Sequence, residues 1–162
     1  MEITRFADAA EQDDPAYAVF EAAFGVVFDK HHPVTEHIDR LSPEARVVYL
    51  LWSFDGEIHN GGFDQFFINP LGDHCAEILD HLETIGARKS HDLLSKAVSW
   101  FPDLSPSRER RIRRAQLETF SDSPKYEAEM DRLDDEFYKY EDDLGSLLNA
   151  YLARHPNASI AA

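Results

Sequence analysis

The sequence contains eight histidines, and two of them, together with a glutamate between them, have a spacing that could bind a metal. His74, Glu77 and His81 lie three and four residues apart, which places them along one flank of a helix. Histidine and carboxylate side chains are common ligands of zinc and iron. However, the sequence has no HExxH motif and no second Glu-x-x-His pair. We therefore expect no metal and no cofactor here, but two histidines at the edge of an apolar helix face.

The remaining nucleophilic and metal-binding residues are also poorly arranged for catalysis. His31, His32 and His37 fall in a predicted loop and have even less of a metal-site pattern. Cys75 is the single cysteine and lies on the apolar side of its predicted helix, where a thiol behaves as a small hydrophobic group. No Gly-x-Ser-x-Gly motif and no phosphate-binding glycine loop occurs. The sequence therefore predicts no catalytic residues.

Net charge limits the kinds of partner that the chain could bind. The formal charge is −15, but residues 87–121 carry eight bases against four acids. The rest of the chain therefore carries −19, which would repel phosphate and anionic membranes. We expect no direct binding of nucleic acid or membrane, and a partner that is basic.

The N-terminal residues lack a secretory signal pattern and no apolar run is long enough to span a bilayer, so we expect a cytoplasmic protein.

The elements that would position these residues all have helical patterns. Asp14-Pro15 is typical of a helix start, and the residues Tyr17, Phe20, Phe24 and Phe28 then form an aromatic stripe on one helix face. Residues 45–54 are apolar nearly all round, as expected of a buried central helix. We predict an all-α fold, with residues 1–162 in a single compact domain of about six to eight helices and a frayed tail at residues 157–162.

The last third combines an apolar seam with a row of acids. The seam has helical spacing throughout and consists of Leu133, Phe137, Tyr140, Leu144, Leu147 and Tyr151. If the helix is continuous, several acids cluster opposite the seam, and Glu127, Asp131 and Asp135 follow one another at intervals of four residues. The acidic surface predicted to bind a partner consists of Glu127, Asp131, Asp134, Asp135, Glu136, Glu141, Asp142 and Asp143. The alternative is a solvated face that only aids solubility.

Residues 57–69 form the most distinctive segment of the chain. They combine a glycine pair with aromatic and polar side chains, which we interpret as a helix break that returns aromatic rings to the core. A pocket floor built from the polar side chains is the alternative. The structural motif comprises Glu57, Asn60, Gly61, Gly62, Phe63, Phe66, Phe67 and Asn69.

This segment resembles the hallmark of a bacterial family of unknown function, whose pattern is an acidic residue, Asn-Gly-Gly-Phe, paired aromatics and an asparagine. The resemblance covers residues 45–152 and extends to the stretches 85–87 and 133–138. The family includes a DNA mimic, an acidic all-helical homodimer that occupies the DNA-binding face of another protein. The resemblance thus implies a non-enzymatic homodimer that binds and inhibits a basic DNA-binding protein, such as a transcription factor or a nucleoid-type protein.

The basic run at residues 108–114 is unusual for an imitation of DNA. Its arginines either bridge internally to acidic helices or form a separate docking patch; a nucleic-acid-binding helix is disfavoured by the surrounding negative charge.

Two other functions remain open. One is an immunity-type neutraliser of a basic toxin, which would use the same electrostatics. The other is a small-molecule or metal-binding enzyme in the 57–81 region, around Glu57, His59, Asn60, His74 and His81.

Overall fold

The computed structural model describes residues 2–32 and 35–162. Within these ranges the chain forms seven α-helices and no strands, which confirms the all-α prediction. The helices are α1 (Pro15–Val27), α2 (Pro43–Ile68), α3 (Cys75–Ile85), α4 (Arg88–Val98), α5 (Arg110–Glu118), α6 (Pro124–Tyr138) and α7 (Leu144–Arg154). None of the described helices is long and apolar enough to cross a membrane.

Short polar side chains begin four of these helices, and at α2 the Ser42 hydroxyl accepts from the Ala45 backbone N–H at 3.0 Å. Asp14, Ser123 and Asp143 are the N-caps of α1, α6 and α7, and each accepts a hydrogen bond from a backbone N–H of the first turn. In α1 and α6 a proline follows the cap at the first helical position, where its missing N–H costs nothing. The start predicted at Asp14-Pro15 is therefore confirmed.

The long helix α2 is broken at one residue. Gly62 has φ 76° and ψ −176°, a backbone conformation that is essentially restricted to glycine. On the N-terminal side of the break, Val48, Leu50, Leu51 and Phe54 are fully buried, as predicted for the central helix. On the C-terminal side, Phe63, Phe66 and Phe67 are equally buried.

The chain divides into two compact units, and the prediction of a single domain stays a prediction. The first unit comprises Met1–Trp52 and Asp143–Ala162, and α1 packs against α7 within it. The second unit comprises Ser53–Asp142, in which α4 packs against both α3 and α6. The core of the second unit is rich in aromatic residues: the Phe54 ring contacts the rings of Phe63, Phe66 and Phe137 at centroid distances of 5.3–6.4 Å.

The condition of a continuous helix over residues 133–151 is not met. α6 ends at Tyr138 and α7 begins at Leu144, and Tyr140 between them has a positive φ of 54°. Two long-range hydrogen bonds stabilise this turn. The Tyr140 hydroxyl donates to Asp55 at 2.8 Å, and Asp142 accepts from the Ser90 backbone N–H at 2.6 Å. These tertiary contacts outweigh the local helical pattern.

The C-terminal tail also differs from the frayed end that we expected. Its backbone pairs with the N-terminal segment, because Phe6 N–H donates to Ala158 and Ile160 N–H donates to Thr4, both at 2.9 Å. The Ile160 side chain is buried. Hydrogen bonds from a segment more than a hundred residues away were not visible in the local sequence.

Candidate partner-binding surface

Helix α6 has one buried face and two charged flanks of different character. Tyr126, Met130, Leu133 and Phe137 are buried and define the face that packs into the second unit. At about 100° per residue, the acids predicted on α6 divide between the two flanks of this face. Glu127, Asp131, Asp134 and Asp135 fall on one flank, and Glu136 falls on the other with Lys125, Arg132 and Lys139. Glu127 and Asp134 thus lie beside the buried face, whereas Asp135 lies about opposite it.

The first flank, which we call the acidic flank, consists of Glu127, Asp131 and Asp135. All three side chains are exposed, and they follow one another at intervals of four residues, or about 6 Å of helix rise. Among the described residues, no ion pair or hydrogen bond involves their carboxylates. Their negative charge is therefore presented to solvent without a neutralising partner.

Asp134 borders the acidic flank but has a structural role. It is half-buried, and its Oδ1 accepts a hydrogen bond from the Phe63 backbone N–H at 2.9 Å, directly after the break in α2. Burial raises the pKa of Asp134, the hydrogen bond from Phe63 opposes that rise, and the neighbouring charges of Asp131 and Asp135 add to it. Asp134 thus ties α6 to the break in α2.

On the opposite flank the acids are neutralised. Glu136 pairs with Lys139 at 2.6 Å and with Lys89 at 3.4 Å, and together these bases lower its pKa. Glu129 binds Arg132 through two hydrogen bonds of 2.9 and 3.1 Å. We call Glu129 and Glu136 the paired flank; unlike the acidic flank, it presents acids and bases together.

The last three acids predicted for the surface lie in the turn after α6. Glu141 is exposed and lies 3.7 Å from Lys89. Asp142 accepts a hydrogen bond from the Ser90 backbone N–H in the first turn of α4. The N-cap residue of α4 provides no side-chain hydrogen bond, so Asp142 takes its place. Asp143 caps α7 by accepting from Ser146 N–H at 3.1 Å. Asp142 and Asp143 are therefore engaged in holding helix ends.

The structural motif surrounds the break in α2. A Cβ atom at Gly62 would lie 2.2 Å from Asp134 Oδ2, so both the backbone conformation and the approach of Asp134 require glycine. Glu57 accepts a hydrogen bond from the Asn69 side-chain amide at 2.6 Å, across the second half of the helix. Asn60 and Gly61, by contrast, are exposed.

Arg113, in the basic run, is completely buried, with an exposed fraction of 0%. Its guanidinium donates to the carbonyl groups of Phe67, Asn69, Ser107 and Arg108 and to the Asp73 carboxylate, over distances of 2.7–3.4 Å. These five acceptors match the five N–H donors of an arginine side chain. Sequence reasoning did not single out Arg113, because its neighbours Arg110, Arg111 and Arg114 look the same in a linear charge pattern.

The other arginines of the run divide between internal bridges and solvent. Arg110 forms a second ion pair with Asp73 at 3.3 Å, and Arg114 donates to the Ile68 carbonyl at the same distance. Arg108 and Arg111 are exposed. The prediction that the run bridges internally thus describes Arg110 and Arg113, although their acceptor belongs to the 3-10 segment Pro70–His74 rather than to an acidic helix.

The groups considered for metal binding or catalysis in the 57–81 region have separate environments. His81 Nε2 lies 3.2 Å and His74 Nδ1 3.7 Å from Glu77, but among the described residues these three do not form a group able to hold a metal. His59 lies against the rings of Phe137, Tyr138 and Tyr140 and 3.0 Å from Asp55.

Cys75 is buried, and burial raises the pKa of its thiol to about 12. The thiol therefore stays protonated and unreactive near neutral pH.

Comparison with known proteins gives one relationship. Curated proteins and solved structures show no match to this chain. Residues 39–155 match a family model, and this range contains α2 to α7, including the break in α2 and both flanks of α6. Because the match covers more than half of the sequence, the chain belongs to the family described as DMP19-like protein.

Proposed function

We propose that this chain is a non-enzymatic DNA mimic, which acts in the cytoplasm as a homodimer and inhibits a basic DNA-binding protein such as a transcription factor or nucleoid-type protein. DMP19 is a DNA-mimic family, and membership of it supports this proposal. The observation that carries it is the acidic flank of α6, where Glu127, Asp131 and Asp135 are exposed and have no neutralising partner among the described residues.

The spacing of the acidic flank suits a surface that recognises phosphate positions. A rise of about 6 Å between successive carboxylates is on the scale at which phosphates repeat along a DNA strand. Unpaired carboxylates also attract a basic groove over long range, which speeds association and makes it sensitive to salt. A partner evolved to neutralise phosphates with lysine and arginine would therefore meet a similar charge pattern.

The difference between the two flanks of α6 supports a specific surface over general solubility. An acidic protein that needs charge only for solubility has no requirement to keep one flank unpaired while the other is neutralised. The acidic flank is also held in place by Asp134, which joins α6 to the break in α2. The proposed binding surface thus comprises Glu127, Asp131 and Asp135, with Glu141 as an exposed neighbour in sequence.

The test is partner capture from host lysate with the intact protein, followed by competition with duplex DNA at two salt concentrations. The recovered partner should be a basic DNA-binding protein, and excess duplex DNA should displace it from the immobilised chain. Higher salt should weaken capture, since both the mimic and DNA rely on charge.

A matched pair of variants controls for net charge. D131N/D135N neutralises two acids of the acidic flank, and E129Q/E136Q neutralises two acids of the paired flank. Both variants change the net charge by the same amount, but only D131N/D135N should lose the partner. Equal loss with both variants would mean that overall charge, and not this flank, is responsible. A partner retained in excess DNA would contradict mimicry and favour the neutralisation of a basic toxin.

An exposed aromatic face supports the homodimer. The buried side of α1 consists of Ala16, Val19, Ala23 and Val27, whereas Tyr17, Phe24 and Phe28 are 43%, 38% and 53% exposed. Next to these rings, the Phe20 ring contacts those of Tyr49 and Trp52 at centroid distances of 5.5 and 5.9 Å. Contiguous apolar surface of this kind typically marks an interface.

Sedimentation equilibrium tests this part of the proposal. The wild-type protein should be dimeric, and F24S/F28S should shift it to a monomer with little change in helix content, because neither ring is buried in the chain. A wild-type monomer at high concentration, or an F24S/F28S variant that stays dimeric, would overturn the role of this face.

A further inference from the structure

The connection between α1 and the next 3-10 helix brings together three side chains that are separate in the sequence. Asp29 follows the end of α1, and His37 is the N-cap residue of the 3-10 helix Ile38–Arg40. His32 lies between them. One ligand atom from each of the three side chains falls within 4.8 Å of the others. Among the described residues, this is the one group of histidine, cysteine and carboxylate side chains that converges in this way.

The distances to Asp29 resemble the edges of a metal coordination sphere. Asp29 Oδ2 lies 3.2 Å from His32 Nδ1 and 3.4 Å from His37 Nε2. In a tetrahedral zinc site with metal–ligand bonds of about 2.0–2.1 Å, neighbouring ligand atoms are separated by about 3.3 Å. Ligand atoms of the two imidazoles lie within 4.8 Å of each other, and the exposed His32 side chain can rotate to shorten this remaining edge.

The His37 imidazole provides a second, independent observation. Its Nε2 atom is buried, and its contact with Asp29 Oδ2 at 3.4 Å lacks the geometry of a hydrogen bond. A buried polar atom without a hydrogen-bond partner is uncommon in folded proteins, and an ion at the site is one of its recognised explanations. A neutral imidazole that carries its proton on Nδ1 presents a lone pair at Nε2, which is what a metal requires.

The second oxygen of Asp29 is held in a way that suits a ligand. Its Oδ1 accepts a hydrogen bond from the His31 backbone N–H at 2.9 Å, which leaves Oδ2 directed towards the two imidazoles. Metal-binding carboxylates are commonly oriented by such outer hydrogen bonds.

We propose that Asp29, His32 and His37 bind one divalent transition-metal ion of the zinc class. Two imidazoles and one carboxylate are a ligand set suited to zinc, with a fourth position left for water. The ion would join the end of α1 to the following 3-10 helix and so stabilise the first compact unit. This site belongs to a different unit from α6, and it does not depend on the proposed mimicry of DNA.

Zinc titration of tag-free, metal-stripped protein tests the site, with a competing chromophoric chelator as the reporter. The wild-type chain should bind one Zn²⁺ per chain, and Mg²⁺ should not compete, because it prefers oxygen ligands. H32Q, H37Q and D29N should each weaken binding at least about tenfold, since even outer-shell changes cost that much in metal sites. Bound Zn²⁺ should also raise the thermal midpoint of the wild-type protein and not that of H32Q.

H31Q is the matched control, because His31 neighbours the site but contributes only its backbone N–H to Asp29. H31Q should bind Zn²⁺ as the wild-type protein does. The exposed position of His32 means that H32Q should fold normally, which circular dichroism of the metal-free protein would verify. The proposal is overturned if Zn²⁺ does not bind stoichiometrically, or if H31Q weakens binding as much as H32Q does.

Discussion

Helices α5 and α6 are both densely charged, but the structure uses their charges in opposite ways. In α5 the most important charge is hidden: Arg113 is fully buried and holds the chain around residues 67–73 and 107–108. In α6 the acids Glu127, Asp131 and Asp135 are exposed and have no partner among the described residues. The number of charges in a segment therefore says little about its role.

The difference follows from the chemistry of the two kinds of side chain. A guanidinium group has five N–H donors in a fixed plane, so backbone carbonyl groups alone can accept most of its hydrogen bonds in the interior. A carboxylate only accepts hydrogen bonds. It therefore finds a partner within the chain only where an N–H group or a basic side chain lies nearby. Asp134 and Glu136 have such groups, whereas the acidic flank does not.

The largest effect is expected from replacing the buried arginine. Arg113→Met should lower the free energy of unfolding by about 3–5 kcal/mol, because four carbonyl groups lose a buried donor and Asp73 keeps only its pair with Arg110. Urea unfolding followed by circular dichroism would measure this. Arg111→Met on the exposed side of α5 is the control and should stay within about 0.5 kcal/mol of wild type. Similar losses for both variants would remove the contrast between buried and exposed charge.

The next effect concerns the contact that positions α6. Gly62→Ala should destabilise the protein by at least about 1–3 kcal/mol, since alanine is strained at this backbone conformation and its Cβ would also meet Asp134. Gly61→Ala should cost much less, because the atoms in its way belong mainly to the flexible Gln65 side chain. Thermal unfolding of the two variants separates these cases, and equal midpoints would contradict the role assigned to the break.

A smaller effect is expected from the titration of Asp134. Its pKa is raised in the folded protein, so folding favours the protonated carboxyl. The contribution of this group to stability should therefore decline as pH rises from its unfolded pKa, near 3.9, through the higher folded value. Urea unfolding of wild type and D134N between pH 3.5 and 7 would test this. The stability of wild type relative to D134N should fall with pH; a constant difference would refute the assigned cause.

The smallest effect on stability is expected on the acidic flank itself. D131N/D135N should change the free energy of unfolding by no more than about 0.5 kcal/mol, and E129Q/E136Q should lower it slightly more, because Glu129 and Glu136 lose their ion pairs. Denaturant midpoints would give both values. Together with the capture experiment, this separates a binding surface from a structural one. A large destabilisation by D131N/D135N would show that these carboxylates support the fold after all.

Local patterns predicted some elements well and others poorly. Asp14-Pro15 starts α1 as expected because both signals act within one turn. The seam over residues 133–151 misled because Tyr140 and Asp142 bind Asp55 and Ser90, which lie 52 or more residues away. The aromatic stripe of α1 was recognised, but its exposure was not, because periodicity alone does not tell which side of a helix is covered.

The candidate sites show the same limit. The acidic row on α6 was predictable because helical phase depends on sequence spacing alone. The convergence of Asp29, His32 and His37 was not, since their spacing of three and five residues follows no helix or strand period. Arg113 gave no sequence signal beyond belonging to a basic run.

By itself, the sequence determined the helical class, the net charge of −15, the break in α2 and the row of acids, because each depends on residue type and short spacing. The tertiary structure alone decided which charges are paired, buried or free. A hydrogen bond or ion pair joins groups brought together by packing. The nearest acceptor of Arg113 lies 5 residues away in the chain, and the donor to Asp134 lies 71 residues away.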